Sequence, residues 1–246
     1  MSSDDHEPIG NINTQKNRLK VWRHLRREWY KYILQAAVVI SGIIIAFALE
    51  KWHLNQQESD QFNDAYRLIA QELSVDTVQL NELILRFEDR YPNYQLLLTA
   101  QMTKKQYDSC YYCPRLVTSI YTLNTSDLGF QHLSQLPSYS LGNRKDSLNY
   151  YIEKYYRHIQ HDLPMWQHFI RQDIQENIHQ WKLNQNWYYQ REKRPEAMVE
   201  YQLNHPEHKN MVYVQHNLIY KNYLPLLKNL QKQANSILLL IPHKSI

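Results

Sequence analysis

Residues 32–49 read YILQAAVVISGIIIAFAL, a run of eighteen residues without a charged side chain. Only Gln35 and Ser41 in this run are appreciably polar. As an α-helix the run would extend roughly 27 Å at about 1.5 Å per residue, close to the thickness of a bilayer's hydrocarbon core. The pattern therefore predicts one transmembrane helix over 32–49, with a short tail before it and a large polar domain after it.

The residues that flank this run predict how it crosses the membrane. The tail, residues 1–31, holds seven Lys or Arg against four Asp or Glu, whereas mixed charges follow the run. Basic residues near a span stay in the cytoplasm, which predicts an inner-membrane protein with a cytoplasmic tail and a periplasmic domain at 50–246. The basic tail also fits contact with anionic membrane lipid, with a role in setting the topology alone as the alternative. Aromatic residues that favour the membrane interface stand on both sides: Trp29, Tyr30, Tyr32 and Trp52.

Two further interpretations concern the same run. Ala46-Phe47-Ala48 has the form of a signal-peptide cleavage site, but the long segment ahead of the run and the length of the run favour an uncleaved signal-anchor. Small residues are common in membrane spans, so their spacing is weak support for a dimer of spans. Those that would allow close packing recur about every four residues: Ala37, Ser41, Gly42 and Ala46.

Composition predicts an all-α fold. The 246 residues include only four Gly, and the chain lacks the turn residues that β-sandwiches and barrels need. The net charge is +4, of which the tail contributes 7 − 4 = +3, so about +1 remains for everything after it. The exported part therefore has no basic footprint for nucleic acid, and its length fits one domain.

Beyond the span, a stripe of apolar residues predicts a long stalk helix over 50–90. No Pro or Gly interrupts the chain between Trp52 and Arg90, so span and stalk are predicted as one continuous helix that ends at Pro92. The stripe steps by three and four residues, as in a coiled coil or a helical bundle, and seven of its eight positions are apolar: Phe62, Tyr66, Ile69, Leu73, Asp76, Leu80, Leu83 and Phe87.

The remainder of the chain predicts further helices that pack with the stalk as an exported bundle. Apolar residues recur at helical spacing over 146–183 and 205–241, and these helices are expected to bend at Pro164 and Pro225. Asn204 is the predicted cap of the second one. The other expectations are short helices near 94–102 and 125–133 within the region 91–145, a turn at Pro137, Gly142 and Asn143, and a polar loop at 184–204.

Cys110 and Cys113 form the sharpest local motif, Cys110-Tyr111-Tyr112-Cys113. In an oxidising compartment two cysteines at this spacing can close a disulfide, which we expect to act as a local structural staple. A thioredoxin-like redox role requires a βαβ setting, which an all-helical chain does not provide. A structural zinc site would need two further ligands, and His132 is the nearest histidine.

No motif predicts catalysis, a cofactor or a metal site, because the chain has neither a glycine-rich phosphate loop nor a nucleophile elbow. His158 and Asp162 stand four residues apart on one helical face, but without a His-Glu-x-x-His motif a solvated or hydrogen-bonding histidine is favoured over a metal ligand. The twenty Tyr and six Trp fit a bundle core, with an interface or ligand groove as the alternative.

Three stretches carry a family resemblance: VISGIIIAFALEKW at 39–52, YRLIAQEL at 66–73 and, more weakly, DLGFQHL at 127–133. With the basic arm ahead of them and the last helix from Asn204, they resemble an uncharacterised family of single-pass membrane proteins from Bacteroidota. Members of that family share a span that ends in a tryptophan a few residues into the stalk. The resemblance implies a cytoplasmic tail, one span and an extracytoplasmic helical domain of unknown function, and it implies no activity.

Two functions are expected from these features. The first is a non-enzymatic, membrane-anchored module that binds a protein partner or assembles with itself, for which the stripe over 62–87 is the motivation. The alternative is a periplasmic sensor that binds a ligand and signals through the stalk and span. A tail of about thirty residues holds no output domain, so such a sensor would need a separate transducer. An enzyme is the least favoured interpretation.

Overall fold

The structure, a computed structural model, describes the backbone of residues 12–136 and 147–241, with side chains from residue 29 onward. Within those ranges every regular element is a helix, which confirms the all-α prediction. Contacts divide the chain into two units, Met1–Ser59 and Asp60–Ile246. The turn predicted at Pro137, Gly142 and Asn143 lies outside the described residues.

Helix α1 runs from Ile12 to Leu98 and contributes to both units. In the first unit it carries the apolar run, whose most hydrophobic 18-residue window has a mean hydropathy of 2.4 and no buried residue. A helix this apolar in the core of a soluble protein would be mostly buried. Among the described residues, α1 is the one helix long and apolar enough to cross a membrane, which supports the predicted span. The flanking Trp29, Tyr30 and Trp52 are exposed.

In the second unit one face of α1 is covered by other helices of the same chain. The predicted stripe is this face, since Phe62 is half-buried and the stripe residues from Tyr66 to Phe87 are at most 9% exposed. The face continues beyond the predicted stalk with Arg90 and Tyr94. The stripe is therefore a contact within the bundle, and it is not free to form the two-chain coiled coil that its spacing also allows.

Helix α1 does not end at Pro92, as predicted, but continues to Leu98. A proline inside a helix removes one hydrogen bond and costs about 3 kcal/mol. Packing beyond the proline offsets this cost, because Tyr94 is buried and its hydroxyl lies 3.1 Å from Leu116 O and 3.0 Å from Gln215 Oε1. The short helix predicted after Pro92 is the last part of α1.

The remaining helices follow α1 along the second unit. They are α2 (Lys104–Ser109), α3 (Leu128–Ser134), α4 (Ser147–Arg157), α5 (Leu163–Asn184), α6 (Glu196–Asn204), α7 (Pro206–His216) and α8 (Leu224–Leu240). Two 3₁₀ turns lie at Cys113–Arg115 and Tyr188–Lys193, and two π-helical turns lie at His158–Asp162 and Asn217–Tyr223. The helix expected near 125–133 is thus α3.

The π-helical turns stand where bends were predicted at Pro164 and Pro225. Each proline is the second residue of the helix that follows, where a missing N–H leaves no hydrogen bond unmade. Just before Pro164, the Leu163 N–H donates to His158 O, five residues back. The wider turn lets the helix pass the proline with helical backbone angles on both sides.

The segment 184–204 is helical for the most part, so the predicted polar loop is wrong. It holds the second 3₁₀ turn and α6, because α6 buries Met198 and Val199 in the core. Asn204 ends α6 and does not cap α7. Instead, the His205 side chain caps α7 by accepting a hydrogen bond from the Glu207 N–H at 3.3 Å.

Tyrosines of α4 form hydrogen bonds with two carboxylates of α1, of which Asp76 is buried and Glu72 is half-buried. The Tyr155 hydroxyl donates to Asp76 at 2.8 Å, and the Tyr156 hydroxyl donates to Glu72 at 2.7 Å. Asp76 is only 2% exposed. Burial raises the pKa of Asp76 to about 6, although the Tyr155 hydrogen bond opposes the rise and the nearby Glu72 charge adds to it.

A buried carboxyl with a raised pKa makes a testable contribution to pH dependence. The folded protein holds the proton of Asp76 more tightly than the unfolded chain, so its contribution is complete below the ordinary pKa of 3.8 and is lost as the pH rises through about 6. We expect the free energy of unfolding of the wild type, relative to Asp76→Asn, to fall by roughly 1 to 3 kcal/mol over that interval.

The measurement is urea unfolding of the detergent-solubilised full chain, followed by circular dichroism at a series of pH values. Asp64→Asn is the control, because Asp64 is an exposed carboxylate on the same helix that pairs with Arg67. The control should show no such trend. Parallel pH profiles for the wild type and Asp76→Asn would contradict the assignment.

Candidate functional site

A pocket of about 520 Å³ lies within the second unit, between α1, α5 and the segments around the two cysteines and the second 3₁₀ turn. This volume is in the range of small-molecule sites. We name it the arginine–tyrosine pocket. It is lined by Arg90, Tyr111, Tyr112, Pro114, Arg115, Thr118, Ser119, Tyr121, Ile178, Trp181, Tyr188, Arg191, Glu192, Arg194 and Met198.

Arg90 is the buried cation of the pocket. It continues the inward face of α1, one turn after Phe87, and is only 5% exposed. Its guanidinium carbon lies 4.8 Å from the centre of the Tyr112 ring and 4.5 Å from that of Tyr121. In the described residues no carboxylate pairs with it and no acceptor takes its hydrogen bonds. The two rings attract its charge but accept none of its N–H hydrogen bonds, which are left to solvent in the pocket.

Tyr112 is held in place over Arg90 by polar contacts with α1. Its hydroxyl lies 3.0 Å from Asp89 O and 3.2 Å from Asp89 Oδ2, and it accepts a hydrogen bond from Asn93 Nδ2 at 2.9 Å. Burial and the neighbouring Asp89 raise the pKa of this hydroxyl, so it stays neutral at ordinary pH. The ring is therefore positioned as a fixed wall of the pocket.

The disulfide places two of the lining tyrosines. The structure joins Cys110 to Cys113, with Cα atoms 5.4 Å apart, so Tyr111 and Tyr112 lie inside the small ring that the bond closes. Cys113 is buried and Cys110 is half-buried. The predicted staple thus shapes a turn that presents aromatic side chains to the pocket.

The rim of the pocket carries three more arginines and one acid. The Arg115 guanidinium lies 2.7 Å from Glu192 Oε2, and Arg191 stacks over the Tyr188 ring at 4.4 Å from its centre. Arg194 donates to Tyr111 O at 3.3 Å. Four guanidinium groups face one carboxylate in the described lining, a formal sum of +3. Such a surface favours anions over cations.

Arg194 stands at a strained point of the backbone. Its φ is 48°, in the left-handed region that residues other than glycine rarely adopt, and Pro195 follows it. The strain is of the kind that clusters at functional sites. The left-handed conformation of Arg194 ends the 3₁₀ turn just before α6, and Arg194 remains part of the pocket lining.

The opposite wall is aromatic. Trp181 of α5 is 2% exposed, and its ring centre lies 5.3 Å from that of Trp187. The ring of His208 lies 5.9 Å from Trp181 and is itself buried, without a hydrogen bond to either nitrogen. Burial lowers the pKa of His208 to about 3, so the ring is neutral at ordinary pH and packs as an aromatic group.

The other histidines do not assemble a metal site in the described residues. His158 Nδ1 lies 2.6 Å from Asp162 Oδ2, so the pair seen in the sequence forms a hydrogen bond. His216 Nε2 lies 3.0 Å from Gln95 Nε2. Among the residues that the structure describes, no three His, Cys, Asp or Glu side chains are grouped as metal ligands.

The arginines of the pocket were missed at the sequence level. Arg191 and Arg194 lie in the stretch interpreted as a polar loop, and Arg115 carries no motif. Arg90 had a usable signal, because it falls on the inward face of α1 at the spacing set by Leu83 and Phe87. An arginine on a face that is otherwise apolar marks a buried charge that needs a partner.

Comparison with known proteins adds nothing to this geometry. No protein-family model, no curated protein and no solved structure matches the chain. The resemblance to the Bacteroidota family therefore stays a prediction, and function has to be argued from the pocket and the surface.

Proposed function

We propose that this chain is a membrane-anchored protein whose exported helical domain binds a small-molecule ligand in the arginine–tyrosine pocket. The observation that carries the proposal is Arg90, a buried cation on the lining of a pocket of ligand size, for which the described residues supply no acceptor. Solvent in the pocket can reach its nitrogens, but the described residues place no carboxylate against its charge. A ligand that accepts its hydrogen bonds in place of water and balances its charge would gain affinity from both contacts.

The lining supports binding rather than catalysis. Glu192, the carboxylate in the described lining, is exposed and paired with Arg115. The Ser119 hydroxyl donates to Arg115 O at 2.8 Å and has no base beside it. A nucleophile needs an adjacent base and a general acid needs access to the reacting group, and neither arrangement is present in the described lining. We therefore propose a sensor or receptor.

Membrane topology is the second part of the proposal. The excess of basic residues in the tail supports a cytoplasmic N-terminus and an uncleaved signal-anchor in the inner membrane, with the second unit in the periplasm. An oxidising compartment suits the pair Cys110 and Cys113.

The cysteines give a direct test of this topology. We expect both thiols to be blocked in whole cells denatured in the presence of a polyethylene-glycol maleimide, and both to be labelled after prior reduction, because export leads to oxidation. The measurement is the mass shift on a denaturing gel. A Cys110→Ser/Cys113→Ser chain is the unlabelled control. Labelling of both thiols without a reductant would place the domain in the cytosol.

Ligand binding predicts a thermal shift that depends on the pocket. We expect at least one compound in a panel of anionic, neutral and cationic small molecules to stabilise the solubilised full chain, by about 2.7 kcal/mol at a hundredfold excess over its Kd. Thr118→Phe, which places a ring in the pocket, should abolish that shift. Thr99→Phe is the matched control at an exposed site outside the lining. A panel without any Thr118-dependent shift would contradict the proposal.

Self-association is a second candidate function, carried by a different face of α1. Leu68, Val75, Val78 and Leu85 are spaced by seven, three and seven residues, and they are 38 to 60% exposed. This is the coiled-coil repeat, on the side of α1 away from its buried face. A heptad surface on one helix is complementary to itself in a parallel pair, and identical anchors would give all copies the same orientation. We therefore propose a second copy of this chain as the occupant.

Crosslinking tests this surface. We expect Val78→Cys to form disulfide-linked dimers in native membranes under mild oxidation, because residues on a heptad seam face their counterparts in a parallel pair. Asn81→Cys is the control, since Asn81 is exposed but faces α8 through a hydrogen bond from Gln231. Dimers at both positions alike, or at neither, would contradict a specific seam. The readout is a non-reducing gel.

A further inference from the structure

We infer that the ligand of the arginine–tyrosine pocket is an organic anion, in which a planar unsaturated body carries a carboxylate or phosphate group that binds Arg90. This inference rests on the proposed ligand-binding function and names its ligand class. It follows from the hydrogen-bond donors, the charge and the wall surfaces of the pocket.

The N–H groups of Arg90 favour an oxyanion as the ligand. A guanidinium presents five N–H groups in a rigid fork that matches the paired oxygens of a carboxylate or phosphate. At Arg90 the neighbouring tyrosines contribute their ring faces, which have no lone pair in line with those N–H groups. The described residues therefore leave these N–H groups to solvent or to the oxygens of a ligand. A neutral carbonyl would satisfy one donor, whereas an oxyanion satisfies two and also balances the buried charge.

The charge around the pocket favours the same ligand. Glu192 lies 2.7 Å from Arg115 and 3.8 Å from Arg191, so one carboxylate is set against four guanidinium groups and the described lining keeps a formal charge of +3. The cationic groups are fixed by other contacts, Arg191 by Tyr188 and Arg194 by the backbone of the cysteine turn. Groups already held in place lose little entropy when an anion binds. This excess of positive charge disfavours a cation.

The walls specify the rest of the molecule. Tyr112, Tyr121 and Tyr188 line the pocket together with Trp181 and Ile178. Arginines already stack on the three tyrosine rings, so an apolar planar body would meet the edges and remaining surfaces of these rings together with Trp181 and Ile178. Aromatic pairs gain about 0.5 to 1.5 kcal/mol beyond the area that they bury, provided that the rings stack with an offset or meet edge to face. The pocket volume of about 520 Å³ holds a molecule of this kind together with its acidic group.

The test compares three probes of one shape that differ in their polar group: naphthalene-2-carboxylate, 2-naphthyl phosphate and the neutral naphthalene-2-carboxamide. Binding to the detergent-solubilised full chain is measured by isothermal titration calorimetry. We expect one of the two anions to bind at least about tenfold more tightly than the amide, the loss expected when a charged hydrogen-bond pair is replaced by a neutral one. Which anion binds better distinguishes a carboxylate ligand from a phosphate ligand.

Two variants assign the preference to Arg90. Arg90→Gln should remove the preference for the anion, and Arg90→Lys, which keeps the charge without the fork, should reduce it. Arg86→Gln is the matched control. Arg86 lies one turn earlier on α1 and stacks on the same Tyr121 ring at 4.9 Å, yet it pairs with Glu82 and does not line the pocket. Circular dichroism confirms that each variant is folded.

Each outcome bears on the inference. Three results would overturn the inference. The amide could bind as well as both anions, the preference for the anion could persist in Arg90→Gln, or all three probes could fail to bind. Those results leave the proposed function standing if a compound of another class produces the Thr118-dependent thermal shift. A preference for the anion that Arg86→Gln keeps and Arg90→Gln loses supports the inference, and the anion's affinity should then fall more steeply with salt than the amide's.

Discussion

The inward face of α1 from Tyr66 to Leu97 is the contact on which the rest of the second unit depends. Several later segments of the chain contact it with a polar atom as well as with apolar surface. The hydrogen bonds that make these polar contacts join Asn149 to Tyr66, Tyr155 to Asp76, Tyr156 to Glu72, Tyr220 to Phe87 O, and Gln215 to Tyr94. Because these bonds are buried or half-buried, loss of one partner would leave a desolvated polar group, which is costly.

The abundance of tyrosine follows from this arrangement. A tyrosine ring fills core volume as phenylalanine does, and its hydroxyl can reach a carboxylate or carbonyl on the neighbouring helix. Tyr155 and Tyr156 are fully buried and meet each other edge to face at 5.2 Å while each bonds to a different acid of α1. The interpretation of the aromatics as core residues holds for tyrosines such as these, and the alternative of a ligand groove stays a prediction for the tyrosines that line the pocket.

Arg90 departs from the same arrangement and so defines the site. It occupies an inward position on α1, but the tyrosines nearest to it offer ring faces where Tyr155 and Tyr156 offer hydroxyl groups to acids. The stripe over 62–87, which predicted a protein interface, packs within the bundle. The exposed heptad on the opposite face of α1 is therefore the surface proposed for a partner. The pocket and that outer face are separate surfaces, so ligand binding and self-association do not compete for the same residues.

The sequence by itself determined the features that depend on local chemistry. These are the apolar run at 32–49, the all-α class, the inward stripe of α1 and the spacing of Cys110 and Cys113, each of which is set by residues within a few turns of one another. The path of the chain around its prolines was not determined in this way. Pro92 stays inside α1 because Tyr94 packs against residues more than twenty positions away, and α6 forms in a polar stretch because Met198 reaches the core.

The pocket was decided only by the tertiary structure. Its walls come from α1, from the cysteine turn, from α5 and from the segment 188–198, which are brought together by packing between helices far apart in the chain. A sequence shows that Arg90 lies on a buried face, but it does not show that the side chains around it are ring faces without an acceptor. That depends on the directions in which Tyr112 and Tyr121 leave an irregular turn, and such directions are set by the contacts of the whole bundle.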